Sequence, residues 1–391
     1  MCSFFPKMFK RNLVLIASFF QACSQQVVET DNVFMDNFVE EIRLVLDDST
    51  SNEFIYSQYF IEGEEEYLVS LNPITNSVDK YSLADGSLSK RIKFHTEGPE
   101  GINSVMQGFT YSSSDSIFVY TKGSLRGSII INEDGKFVKR LNPSIDKTAH
   151  FGLVNHVSTA GNPTRLFGNR LHFMQYPLFD VYNPSNINKN YPLSLEYDLV
   201  GDEVLYDSLI TYPESYRDKI WPVYDLVFSR EIISDSIYLI SWPLLDSLIW
   251  VDKKNHKTKN ILAKSNYFSA QQIPFNTPPN QEEENEMVLG QFRYGKILFD
   301  PYRKLYYRMV MHPLKETDNK TFIPNIEEQK FTIIVLDENF KFMKEVLFPS
   351  NTYSPFNIFI GKKGIMLMKN NYFDENVNED ELVLHIFNLE K

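Results

Sequence analysis

Short apolar stretches separated by polar turns recur along the whole chain, and two of them match closely. Asp115-Ser-Ile-Phe-Val-Tyr120 and Asp235-Ser-Ile-Tyr-Leu-Ile240 are each followed by a second apolar stretch, a polar turn and a third stretch. In the first copy these are Ser128–Asn132, Glu133-Asp-Gly135 and Lys136–Leu141. In the second they are Ser247–Asp252, Lys253–His256 and Lys257–Leu262. Runs of β-branched and aromatic residues bounded by Asp, Asn, Gly and Ser predict strands. A repeated set of antiparallel strands is the one-dimensional signature of a propeller blade. The fold class expected is therefore all-β, a β-propeller.

The pattern extends beyond the two copies. Phe54–Phe60, Tyr67–Leu71, Val78–Leu83 and Leu88–Phe94 predict a first blade, with Ala84-Asp-Gly86 as a turn. Asn103–Leu141 forms the next. A less regular third takes Arg170–Tyr176, Leu193–Asp198 and Val204–Ile210. The fourth is the Asp235 copy, preceded by Tyr224–Ile233. Gly295–Phe299, Lys304–Met311, Phe331–Asp337 and Phe340–Phe348 give a fifth. The last has only Phe356–Ile360, Gly364–Lys369 and Glu381–Leu389, one strand short. The alternating segment Glu41–Asp47 stands alone before the first blade. An open ring would leave an unpaired edge that invites aggregation. Adding Glu41–Asp47 to the last blade closes six four-stranded blades, or seven if residues 142–170 hold another.

Two stretches interrupt the repeat. Residues 142–190 are aromatic and rich in Asn and Pro, which suits an ordered insertion. Residues 263–290 contain several Pro and the run Glu282-Glu-Glu-Asn-Glu286, which suits a mobile loop. Long insertions in a compact β domain are commonly functional.

The first residues read as a targeting segment. Lys7, Lys10 and Arg11 precede the apolar run Leu13–Phe20, which is too short to span a bilayer. Met8 offers a second possible start. Gln21-Ala22-Cys23 then places a small residue before a cysteine, as in the lipobox of bacterial lipoproteins. Phe20 stands where that pattern usually has Leu. Residues 1–22 are thus expected to be removed, leaving Cys23 lipidated and residues 23–39 as a tether for a domain spanning 40–391. The other cysteine, Cys2, lies within the removed segment, so no disulfide holds the domain.

Charge narrows the partners. The chain carries a net charge of −12. Removing residues 1–22 takes three basic and no acidic side chains and leaves about −15. Nucleic acid and electrostatic binding to anionic lipid are disfavoured. Membrane attachment would rest on the lipid at Cys23.

The lipobox-like start, the mature length, the blade pattern and Thr96-Glu-Gly-Pro-Glu-Gly-Ile102 together resemble a family of uncharacterised lipoproteins of Bacteroidetes-type bacteria, related to six-bladed propeller proteins. The resemblance implies a propeller in the cell envelope, at the outer membrane in preference to the inner. It carries no catalytic residues. Surface lipoproteins of such bacteria tend to carry acids after the cysteine. Ser24-Gln25-Gln26 instead implies the periplasmic side.

No Gly-x-Ser-x-Gly elbow, His-Glu-x-x-His, phosphate-binding glycine loop or Cys-x-x-Cys is present. The candidates are individual residues, each with a plainer alternative. Glu97 and Glu100 place carboxylates in a connection that leads to one rim, or simply lie in a Gly-Pro turn. Arg165 and His172 sit among aromatics of the first insertion, where a sugar could stack, or where an ordered loop packs. Trp242 and His312 follow equivalent strands of neighbouring blades, facing a rim or filling the core. Asp374, Asn376, Asn378 and Asp380 alternate like the ligands of a calcium loop. That loop lacks the required Gly and has His385 where a bidentate Glu is expected, so a hairpin loop is the plainer account. No other cofactor is indicated. These features favour a binding or assembly module for a protein, peptide or glycan. A hydrolase or lyase using rim carboxylates, with or without Ca²⁺, is the alternative.

Overall fold

The two Asp-Ser segments occupy the same place in two separate sheets. In a computed structural model, describing residues 33–144, 156–188, 190–269, 273–314 and 325–390, Ser116–Thr121 and Ile237–Ser241 are each the second strand of a four-stranded antiparallel blade. The first blade comprises Ser57–Glu62, Glu65–Asn72, Ser77–Ser82 and Leu88–Lys93. The second comprises Met106–Ser113, Ser116–Thr121, Ile129–Ile131 and Phe137–Arg140. Blade 4 is Ser229–Ile232, Ile237–Ser241, Ser247–Asp252 and Lys257–Leu262. Blade 5 is Arg293–Asp300, Leu305–Met311, Phe331–Leu336 and Phe342–Phe348.

Burial explains why these sequences become these strands. The third strand of blade 5, Phe331–Leu336, is buried at every position, because blades cover both its faces. The outer strand of blade 4, Lys257–Leu262, is exposed almost throughout and reads as polar. The middle strand of blade 5 is therefore a nearly continuous apolar run and the outer strand of blade 4 is mixed.

Six hydrophobic cores hold the ring, each between two neighbouring blades. One joins Leu71 and Val78 of blade 1 to Phe109 and Val119 of blade 2. Others join blades 2 and 3, 3 and 4, 4 and 5, and 5 and 6. The last joins Leu68 and Tyr81 of blade 1 to Leu44, Met366 and Leu384 of blade 6. The cycle is complete, so the protein is a closed six-bladed β-propeller.

Closure uses the two ends of the ring as expected. Blade 6 consists of Ile358–Ile360, Ile365–Met368 and Glu381–Phe387, and its outer strand is Phe38–Val45. Glu41 pairs with His385 and Leu44 with Leu382. The strand begins earlier than Glu41, and Val33–Asn37 before it forms a 3-10 turn. Phe34 there packs against Phe348, Tyr353 and Phe387. The expected tether therefore does not extend to residue 39, because Phe34 is anchored in the core between blades 5 and 6. Residues 1–32, with Cys23, lie outside the described residues.

Blade 3 accounts for the irregular region. Its inner position is shared by two short pieces, His156–Val157 and Arg165–Phe167, both paired with Arg170–Gln175. Ser194–Asp198 and Glu203–Tyr206 complete it. Among the described residues, this stretch thus supplies the inner strand of blade 3, and the ring has six blades where a seventh was also open.

The acidic insertion differs from the loop expected. Gln281–Leu289 is an α-helix. Asn280 accepts from the Glu283 N–H while the Glu283 side chain accepts from the Asn280 N–H, which is a capping box. Three glutamates in the first turn favour the positive end of the helix dipole. Glu284 is buried and accepts from the Tyr182 hydroxyl at 2.6 Å and from the Val223 N–H.

Candidate functional site

Two kinds of connection meet on one face of the propeller: those entering an inner strand and those leaving a second strand. Together they enclose a cavity of about 1240 Å³. Blade 1 contributes Asn52–Ile55 and blade 4 contributes Val223–Ser229. The stretch Arg293–Lys296 comes from blade 5. Ser354–Asn357 and Asn370–Tyr372 come from blade 6. Val288 of the helix reaches the same wall.

The floor is built from the break in blade 3. Residues 158–164 leave the inner strand position and cross the centre of the ring. The Ala160 N–H donates to Ile55 O of blade 1, and the Ser158 hydroxyl to Phe109 O of blade 2. Asn162 accepts from the Arg230 N–H and donates to Phe228 O of blade 4. Gly108 makes this crossing possible. Its φ is +108°, and a Cβ there would lie 2.3 Å from Ser158 O.

Lys296 fastens the floor. Its ammonium donates to Ala160 O at 2.7 Å, Ile358 O at 2.6 Å and Phe356 O at 3.3 Å, tying blade 5 to blades 3 and 6. Burial lowers its pKa to about 7, against the favourable field of Glu231. Burial likewise raises Glu231 to about 7, opposed by Arg165 and Lys296. These three charges lie close enough to influence one another beneath the cavity.

The mouth is apolar and aromatic. Tyr372 is 81% exposed, Ile55 57%, Phe356 46% and Tyr224 38%. Large exposed side chains gathered around one concavity mark a recognition surface. Three carboxylates, Glu53, Glu327 and Glu379, line the same cavity. Burial raises the pKa of Glu327, and the nearby charge of Glu53 acts in the same direction.

The residues singled out from the sequence do not converge here. Glu97 and Glu100 are exposed in a turn fastened by Asn103 and Arg140, which donate to Gly98 O, Pro99 O and Gly101 O. The turn is on the expected rim, but its acids point to solvent and outside the cavity. Arg165 lies in the split inner strand. His172 is buried between blades 3 and 4 against the Tyr238 hydroxyl. Burial lowers its pKa to about 3, helped by neighbouring Arg230 and Lys253. Trp242 fills the core among Tyr212, Tyr216 and Phe228. His312 sits between Tyr267 and Phe292, with Nε2 3.3 Å from Thr332 Oγ1. Their neighbours Pro243 and Met311 reach the cavity instead.

In the Asp374–Asp380 segment the side chains cap the loop itself. Asp374 Oδ1 accepts from the Asn376 N–H and amide, and Asn378 Oδ1 from the Asp380 N–H. Lys369 Nζ lies 3.9 Å from Asp374 Oδ2. The loop oxygens are directed to its own backbone, as in Asx turns. Among the described residues, no group of three or more His, Cys, Asp or Glu is arranged to hold a metal.

Fold and cavity define a six-bladed propeller with a ligand-sized chamber on one face. The chain belongs to the family defined by a domain of unknown function, DUF4221, whose model matches residues 34–347. It is similar to the crystal structure of a DUF4221 member from Bacteroides vulgatus, with 21% identity over 90% of this chain and 96% of that one, and a TM-score of 0.78. A "putative exported protein" of Bacteroides fragilis is 11% identical over 91% of this chain and 97% of that one, with a TM-score of 0.51. A comparison with curated proteins finds no match.

Proposed function

We propose that this propeller is a lipid-anchored binding module of the cell envelope, taking a protein, peptide or glycan ligand in the cavity of its open face. The cavity carries this reading. Its volume exceeds what a single small metabolite fills, and its mouth exposes aromatic and aliphatic side chains over a rigid floor. Such exposed apolar groups add nothing to the core, which is complete without them. A thermal-shift screen of glycans, peptides and divalent metals tests it. One ligand class should raise the melting temperature, and Phe356→Ala with Tyr372→Ala should abolish the rise. Ligand-induced shifts that survive both substitutions would place binding elsewhere.

The envelope location draws on the basic-apolar start and Cys23. An exported designation for the Bacteroides fragilis protein is consistent with it. No helix among the described residues is long and apolar enough to cross a membrane. Cys23→Ser should release the chain from the membrane fraction and abolish labelling by a radioactive fatty acid. Unchanged fractionation would remove the anchor from the reading.

The hydrolase or lyase alternative would draw on Glu327, whose raised pKa suits a proton donor. It would predict turnover lost on Glu327→Gln, whereas a binding module retains its ligand unchanged.

A further inference from the structure

We infer that the cavity recognises a cationic peptide, which lays a lysine or arginine side chain against the wall formed by blades 6 and 1. This rests on the reading of the cavity as the ligand site and adds the chemistry of what enters it.

Polar groups on the walls are unevenly engaged by the protein itself. Both cations that line the cavity are already engaged. Arg293 donates to Asp225 at 2.6 and 3.2 Å and also to Val288 O. Lys296 spends its hydrogens on three carbonyls. Neither is available to an anionic ligand.

Most of the carboxamides are engaged as well. Asn162 is used at both ends. Asn371 donates to Glu327 O and Tyr353 O and accepts from the Phe373 N–H. Gln329 donates to Leu289 O and His312 O. These amides hold the rim loops in place.

What is left over is mostly acceptor. The Glu53 and Glu379 carboxylates are exposed, and neither forms an ion pair or side-chain hydrogen bond among the described residues. Asn370 donates to Asn52 O, but its Oδ1 is a buried atom with no donor. A buried acceptor without a donor is costly, and Asn370 adds to the surplus of acceptors on this wall. Hydroxyls can serve either way, and the fixed donors that remain are neutral amide N–H groups, on Asn52 and the second N–H of Asn162, Asn357 and Asn370.

The aromatic side chains complete the match. Phe356 and Tyr372 stand on the same blade as Asn370 and Glu379 and are exposed at the mouth. Ring faces attract ammonium and guanidinium groups and pack on their aliphatic stems. An acceptor-rich wall, exposed rings and a net charge of −12 all favour a cation. The volume of about 1240 Å³ leaves room for the backbone that carries it.

The test titrates the full chain with fluorescent, end-blocked peptides containing lysine, Nε-acetyl-lysine or glutamate at the same positions, and with neutral oligosaccharides. The lysine peptide should bind, with affinity falling as salt rises. The acetylated and glutamate peptides should bind at least about tenfold more weakly. Glu53→Gln with Glu379→Gln should weaken the lysine peptide by about tenfold at an unchanged melting temperature. Equal binding of lysine and acetyl-lysine peptides, lost with Phe356→Ala and Tyr372→Ala, would overturn the cationic assignment and leave the cavity as the ligand site. Oligosaccharide binding with the same sensitivity, and none by the lysine peptide, would do likewise. Binding indifferent to Phe356 and Tyr372 would overturn both.

Discussion

His385 Nε2 lies 2.9 Å from Glu41 Oε2, joining the last strand to the first across 344 residues. Its Nδ1 is 2.8 Å from the Tyr353 hydroxyl. Burial lowers the His385 pKa, so the ring is neutral near pH 7. The Nε2–H then donates to Glu41 while Nδ1 accepts from Tyr353. Burial pushes Glu41 up, but hydrogen bonds from His385 and Arg43 outweigh it and leave its pKa lowered. The clasp is thus polar on its outer side, over Leu44, Leu382 and Leu384, which are wholly buried. A partly exposed pair contributes at most about 1 kcal/mol. The leucines carry most of the closure.

Leu44→Ala should therefore cost about 2–5 kcal/mol, from lost burial and the cavity left behind. Urea unfolding would measure it. Deleting Phe38–Val45 should lower the melting temperature of the whole domain and promote aggregation, since Glu381–Phe387 becomes an open edge. An unchanged melting temperature after the deletion would refute the closure.

Gly86 makes the second contact that seats this strand. Its φ is +74°, its carbonyl accepts from the Val45 N–H, and a Cβ would lie 1.9 Å from Arg43 O. Gly86→Ala should destabilise by more than the roughly 1 kcal/mol of the backbone conformation alone. The closing strand must move as well. Hydrogen exchange should then rise first in Phe38–Val45, and equal exchange across all blades would contradict this.

Arg308 is fully buried between blades 4 and 5 with its hydrogens on Ser241 Oγ, Ala263 O, Trp242 O and Leu245 O. Its guanidinium lies 3.5 Å from the Tyr294 ring centroid. Arg308→Met should cost at least about 3 kcal/mol, because several carbonyls lose their donors in a dry interface. Arg308→Lys should not restore stability, since an ammonium cannot reproduce the planar fork. Denaturant midpoints of the two variants decide this.

Glu133 links blades 1 and 2. It accepts from the Tyr111 hydroxyl at 2.6 Å, Lys80 at 3.0 Å and Lys90 at 3.2 Å. Burial raises its pKa, but these bonds outweigh that and bring it down to about 2 from an ordinary 4.5. A lowered carboxyl contributes stability above about pH 4.5 that is lost as pH falls toward 2. The wild type should exceed Glu133→Gln by about 2–3 kcal/mol at pH 7. The gap should shrink steadily between pH 4.5 and 2. A gap independent of pH would show that the carboxylate charge contributes nothing.

The blades and their closure were legible because their information is local. The Asp-Ser openings and the alternation of the solitary strand Glu41–Asp47 each follow from which faces neighbouring blades cover. The helix Gln281–Leu289 was also signalled, by Asn280 and Glu283 at capping-box spacing and by Gly290 at its end. Its polar composition concealed it, since it buries little of an apolar stripe. His172, Trp242 and His312 could not be assigned by residue type. Each is equally suited to a rim or a core, and the neighbouring blade decides which.

The chain order alone determined a closed ring of four-stranded blades, because strand period, turn chemistry and the need to cover an edge act over a few residues, and the structure decided between six and seven. Tertiary structure decided the site. Asn52, Asn162, Lys296, Phe356 and Tyr372 are far apart in sequence and share a cavity only because the ring returns each blade's connections to one face. The floor of that cavity exists because a split inner strand sends residues 158–164 through the centre, where blades 1, 2, 4 and 5 supply or accept their hydrogen bonds.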